Sequence, residues 1–117
     1  MFEASAIVAD NKKDFYKELN MMLASLIVEE SDWLANAANA AALLYQMLPD
    51  INWAGFYLMK AGQLVLGPFQ GKPACVRIQI GKGVCGAAAS TGKIQVVENV
   101  EQFPGHIACD AASQSEM

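Results

Sequence analysis

The periodicity of the chain changes at Asn52, and that change limits the fold more than any other feature. Before it, apolar residues recur every three to four positions; after it, short apolar runs are bounded by glycine and proline. Helices come first, strands follow, and the class is α+β. Residues 11–29, NKKDFYKELNMMLASLIVE, place Phe15, Leu19, Met22, Leu23 and Leu26 on one helical face. Asn11 is the expected N-cap, and Asp14 falls at the third helical position, near the positive end of the helix dipole. The stretch SDWLANAANAAALLYQMLPD is a second helix, capped by Ser31 or Asp32 and ended by Pro49. Leu34, Ala37, Ala38, Ala41, Tyr45 and Leu48 form its expected stripe, and its many alanines allow close approach to a neighbour. Met21, Met22 and Met47 read as core filler.

Beyond Asn52, NWAGFYLMKAGQLVLGPF reads as a hairpin turning at Lys60-Ala61-Gly62. Its first strand is apolar on both faces, which suggests a central strand covered on both sides. Trp53, Gly55 and Tyr57 share one face. Two rings flanking a residue without a side chain either leave a hole walled by aromatics or make room for another side chain. ACVRIQI is a third strand starting at Cys75. GKGVCGAAASTGK leads into a short helix that carries Cys85 and ends near Gly92; neither phosphate-loop pattern, G-x-x-x-x-G-K-[ST] or G-x-G-x-x-G, is present. IQVVEN is an expected fourth strand, and VEQFPGHIACDAASQSEM is mostly loop, entering a further strand at its end.

Composition narrows the function. With 117 residues, 54% hydrophobic and 17% charged, the chain forms a core and amounts to one domain, residues 1–117. The net charge is −4, and no basic stripe alternates with aromatics, which argues against nucleic acid. No apolar run reaches the roughly 18 residues of a membrane span, and MFEASAIVADNKKDF lacks the pattern of a signal peptide, so a cytoplasmic location is expected. The cysteines, Cys75, Cys85 and Cys109, contain no C-x-x-C pair, which argues against a structural zinc site; a disulfide scaffold does not suit a chain with this much core. Buried inert thiols and redox chemistry remain.

The segments NWAGFYL, GPFQGKPACVRI, GKGVCGAAA and FPGHIACDAASQSE resemble the free methionine-(R)-sulfoxide reductases, which are single GAF domains. The resemblance runs from about Asn52 to Glu116, and the cysteine spacings of 10 and 24 match the family pattern. It implies a GAF-like fold: an antiparallel sheet with the N-terminal helices on one face and a ligand pocket on the other. It also implies a redox role for the cysteines. Reducing a sulfoxide needs a soft nucleophile at sulfur and a proton for the departing oxygen, and a thiolate is such a nucleophile. The resemblance assigns attack to Cys109 and resolution to Cys75, through a sulfenic acid and then a disulfide that an external dithiol such as thioredoxin reduces. No bound cofactor or metal is implied. Cys85 is either an alternate resolver or an inert packed thiol, and which pair forms the resting disulfide stays open.

Carboxylates also fit this chemistry. Free methionine sulfoxide carries an ammonium group, which a negative pocket attracts. A carboxyl group held protonated by burial can donate to the sulfoxide oxygen. By resemblance, Glu116 lines the oxygen end of the site, and Trp53 and Tyr57 form the aromatic wall around the methylsulfinyl group. Asp110 adjoins Cys109, either as part of the negative pocket or as a turn and cap former. His106 is either a cation beside the thiolate or a solvated loop residue, and the resemblance supplies no role for it. Family members continue beyond the position of Met117 with further strands, a helix and a pair of pocket aspartates. Without those strands, backbone groups paired in the family would be left open, and pairing with a second chain, as in a homodimer, is one way to cover them. Two other functions stay open beside the reductase: a GAF module that binds a small ligand without converting it, and a redox-sensing thiol protein.

Overall fold

The computed structural model describes residue 2, residues 5–107, residue 109 and residues 112–117. They divide into two compact units: residues 1–56 with 68–71, and residues 57–67 with 72–117.

The first unit holds two helices and the base of a hairpin. Helix α1, Lys12–Ile27, starts where the sequence predicts. Asn11 has extended backbone angles and its side-chain oxygen accepts the Asp14 amide at 2.9 Å. Its amide group donates in return to the Asp14 carboxylate at 3.1 Å, so each residue satisfies the other. The predicted face is the observed one: Leu19 is buried, and Phe15, Met22, Leu23 and Leu26 are half-buried. Helix α2, Trp33–Met47, is capped by Asp32, which accepts the Ala35 amide at 2.9 Å. Its inward face follows the predicted stripe in part. Ala41 is buried and Ala37 and Leu48 are half-buried as predicted, but Ala40 and Leu43 are buried too, and Leu34, Ala38 and Tyr45 are exposed. Alanine occurs on nearly every side of this helix, so the apolar pattern has no sharp direction, and contact with α1 selects the face. Burying a leucine such as Leu19 or Leu43 contributes about 1.5–3 kcal/mol.

Strands β1, Trp53–Lys60, and β2, Gln63–Gly71, are joined by Ala61 and Gly62, both at positive φ (50° and 80°). This is the turn geometry whose twist matches two antiparallel strands, and it stands where the sequence predicts. The sheet order is β1-β2-β3, so β1 is an edge strand among the described residues and not the expected central one. The apolar side chains on both of its faces are mostly half-buried.

In the second unit, β3 is short, Arg77–Gln79, and pairs antiparallel with β2 through Gln63↔Gln79, Leu64↔Ile78 and Val65↔Arg77. Cys75 therefore lies in the loop before β3, not at its first position as expected. Helix α3, Gly83–Thr91, follows at once and ends at Gly92 in the left-handed conformation, as the sequence predicts. It approaches the end of β3 closely enough that a Cβ on Gly86 would stand 2.6 Å from the Gln79 carbonyl oxygen. Leu64, Ile78, Val84 and Val100 are the buried apolar residues of this unit. The expected strand IQVVEN does not form. Ile94 and Val96 are 83% and 68% exposed, and only Val97 pairs, in an isolated antiparallel bridge with Glu116. An apolar, β-branched run becomes a strand only where a neighbour supplies a ladder, and among the described residues none does. A single turn of 3-10 helix, Val100–Gln102, separates this run from the last loop.

Candidate active site around the Cys75–Cys109 disulfide

Two loops of the second unit meet at a disulfide between Cys75 and Cys109, with Cα atoms 5.6 Å apart and a sequence separation of 34. The Cys75 loop is held on both sides of the sulfur. The Leu66 amide donates to the Val76 carbonyl at 2.8 Å, and the Tyr57 hydroxyl donates to the Cys75 carbonyl at 2.7 Å. The Cys109 loop is held by local turns: the His106 amide donates to the Phe103 carbonyl, and the Cys109 amide to the Ile107 carbonyl, both at 3.2 Å.

Glu116 reaches this region through backbone pairing. The Val97 amide donates to the Glu116 carbonyl at 2.7 Å, and the Glu116 amide donates to the Val97 carbonyl at 2.9 Å. A further bond from the Val100 amide to the Gln114 carbonyl, 2.9 Å, fixes the approach. The Glu116 side chain points to His106, with Oε1 at 2.7 Å from His106 Nε2. The histidine side chain is 13% exposed and the glutamate 30%. His106 is thus the mostly buried partner of a carboxylate and not a solvated loop residue. Only its position three residues before Cys109 could have drawn attention to it.

Cys85, on the first turn of α3, is the free cysteine among the described residues and is half-buried. Burial pushes its thiol pKa up, the negative charge of Glu116 pushes it further, and a backbone hydrogen bond opposes them. A helix N-terminus ordinarily favours a thiolate, but here desolvation prevails. The Tyr57 hydroxyl is raised likewise, first by burial and then by the charges of Cys85 and Glu116. Tyr57, Cys85 and Glu116 therefore share one electrostatic neighbourhood, in the unit that also holds both bonded cysteines and His106.

Trp53 belongs to the first unit. It stacks on Phe69 with ring centroids 5.5 Å apart and planes inclined by 16°. The space above Gly55 is taken: a Cβ there would overlap Phe69 and lie 2.8 Å from the Trp53 ring. Of the two sequence readings of this strand, a hole over Gly55 or a gap filled by other side chains, the second holds. Asp110 lies outside the described residues. Among the described residues, no cluster of three or more His, Cys, Asp or Glu side chains could hold a metal ion.

No family model matches the chain. Individual relatives do. The chain is 57% identical over 107 residues to the free methionine-R-sulfoxide reductase of Escherichia coli, covering 92% of this chain and 65% of that protein. It superposes on the X-ray structure of free methionine-R-sulfoxide reductase from Neisseria meningitidis in complex with its substrate with a TM-score of 0.89 and 40% identity, covering 98% of this chain and 69% of that one. The chain belongs to the free methionine-R-sulfoxide reductase family. Its fold is that of a GAF domain. The crystal structure of a putative GAF sensor protein from Burkholderia vietnamiensis is 58% identical with a TM-score of 0.86, covering 90% of this chain and 66% of that one. The chain thus spans about two thirds of the length of the reductases and GAF proteins it matches. Against that family background, Cys75 and Cys109 are the two cysteines joined here, and Cys85 is free, with a thiol pKa raised by burial.

Proposed function

We propose that this chain, as part of a single GAF-like domain, reduces free L-methionine (R)-sulfoxide to methionine. The observation that carries the reading is the Cys75–Cys109 disulfide, which has the form of the oxidised product of such a reaction. In the attack step, the Cys109 thiolate donates its electron pair to the sulfoxide sulfur and Glu116 supplies the proton for oxygen. The bond this forms between Cys109 Sγ and the substrate sulfur breaks, together with the substrate sulfur–oxygen bond, as the hydroxyl moves to Cys109. Methionine, a Cys109 sulfenic acid and a Glu116 carboxylate result, so the substrate sulfur gains two electrons and Cys109 loses two. The Cys75 thiol then displaces water from the sulfenic acid and forms the disulfide. A dithiol of the thioredoxin class restores both thiols by exchange. Tyr57, hydrogen-bonded to the Cys75 carbonyl, holds the resolving loop. The raised thiol of Cys85 supports inert packing for that residue, with Cys75 as resolver. Asp110 contributes negative charge that attracts the substrate ammonium. A cytoplasmic location, where dithiol reductants are abundant, suits this chemistry, and a homodimer would cover exposed apolar residues such as Ile94 and Val96.

The test is a single turnover. The reduced chain, given excess free methionine-(R)-sulfoxide and no external thiol, should release one methionine per chain and become disulfide-bonded. Cys109→Ser should release none, and Cys75→Ser should release one and stop with a trappable sulfenic acid. Methionine sulfoxide inside a peptide should not react, because an amide-linked backbone offers no ammonium. Tight binding without release would instead identify a ligand-binding module. Disulfide formation under peroxide alone would identify a redox sensor.

A further inference from the structure

The contact between His106 and Glu116 gives the site a second working group. We propose that His106 is a positioning residue for the acid that protonates the sulfoxide oxygen. Its Nε2–H donates to Oε1 of Glu116 and leaves Oε2 to carry the transferable proton. The inference rests on the reductase reading above.

Three observations support it. First, the contact is short, 2.7 Å, well within the range of a direct hydrogen bond. Second, both partners are independently anchored. The Glu116 backbone is bound twice to Val97, and the His106 amide is bound to the Phe103 carbonyl, so the contact follows from backbone placement and not from two free side chains meeting at a surface. Third, the histidine ring is 13% exposed, and a ring that dry needs a partner for its polar nitrogen. Among the described residues, the other titratable groups in this electrostatic neighbourhood are Tyr57 on β1 and Cys85 on α3, both of which carry negative charge when ionised. His106 is therefore the neighbour able to stabilise the carboxylate that appears when Glu116 gives up its proton.

The balance is simple. In the attacking complex, Oε1 of Glu116 accepts from His106 and Oε2 carries the proton that faces the sulfoxide oxygen. As the Cys109–oxygen bond replaces the substrate sulfur–oxygen bond, the Oε2 proton moves to that oxygen. The new carboxylate keeps the His106 bond, now to a charged acceptor and correspondingly stronger. Water released in the disulfide-forming step leaves the site, and a solvent proton restores the acid. His106 never touches the substrate.

The experiment uses the full chain in its reduced state and follows methionine release in a single turnover. His106→Ala should slow release by about ten- to a hundredfold, the usual scale of a general-acid contribution, with KM in steady state changed by less than about twofold. Alkylation of Cys109 by iodoacetamide requires no acid and should keep the parent rate. Glu116→Gln and the double variant should be equally slow, since His106 acts through Glu116. His106→Gln keeps an amide donor and should recover most of the parent rate; should the alanine variant fail to fold, this substitution carries the test. Slowed alkylation would make His106 a partner of the thiolate and overturn the proposal. So would additive effects in the double variant, a His106→Ala rate equal to the parent, or a glutamine variant as slow as Glu116→Gln. If the parent chain itself releases no methionine, the reductase reading fails, a result distinct from any of these.

Discussion

Cys85 shows how a side chain's surroundings outweigh its residue type. It stands on the first turn of a helix, where the dipole lowers a thiol pKa, yet burial and the nearby Glu116 charge raise it above the ordinary 9.0. At neutral pH, Cys85 should therefore react with iodoacetamide more slowly than free cysteine, measured by mass spectrometry of the modified peptide; faster reaction would contradict the described burial. The same shift carries a pH dependence. A folded-state pKa above the unfolded one means that the folded chain holds its proton longer, so the contribution is complete below about pH 9 and is lost as pH rises through the folded value. Tyr57, raised from 10.0, acts in the same direction. The melting temperature should fall as the pH rises above about 9, and Cys85→Ala should remove part of that fall. A melting temperature flat across that window would refute it.

At the scale of elements, caps and close approaches are the sensitive points. Asn11 and Asp32 each satisfy an amide of the helix that follows, and Asn11→Ala or Asp32→Ala should each cost about 1 kcal/mol of stability. Gly86 is a different case. A Cβ there would meet the Gln79 carbonyl oxygen at 2.6 Å and the Gly81 amide nitrogen at 3.1 Å, both backbone atoms, so α3 or the end of β3 must move. Gly86→Ala should destabilise by roughly 1–3 kcal/mol despite the better helix propensity of alanine. Because α3 carries Cys85, the same substitution should raise that thiol's reactivity. Urea titration followed by circular dichroism measures the first effect, and a midpoint unchanged from the parent would mean that the helix and strand are not in close approach.

For the molecule as a whole, the disulfide is the strongest constraint. It closes a segment of 34 residues, and removing it should lower stability by about 3–4 kcal/mol on the chain-entropy account. A reductant should lower the melting temperature of the oxidised chain, and Cys75→Ser should melt at the reduced value with or without reductant. Equal melting of the oxidised and reduced chains would show that the bond constrains little. A chain that alternates between these two states in turnover would have two stabilities, and free substrate would set the balance between them.

Local chemistry was legible in the sequence by itself. The two caps, the Ala61-Gly62 turn and the glycine stop after α3 each depend on residues within four positions of one another, and each stands where the sequence predicts. The motif residues around the three cysteines likewise pointed to the family. What the sequence could not decide was every question settled between distant segments. The alanine-rich α2 turns inward a face that only partly follows the predicted stripe because α1 selects it, and IQVVEN forms no strand because, among the described residues, no neighbour presents a ladder. Cys75 is bonded to Cys109, and His106 meets Glu116, because the Val97–Glu116 bridge and the loop turns bring them together. The physical reason is one of range. A cap or a turn is a hydrogen bond within a few residues, whereas pairing, burial direction and side-chain partners depend on which remote segment arrives, and only the tertiary structure decides that.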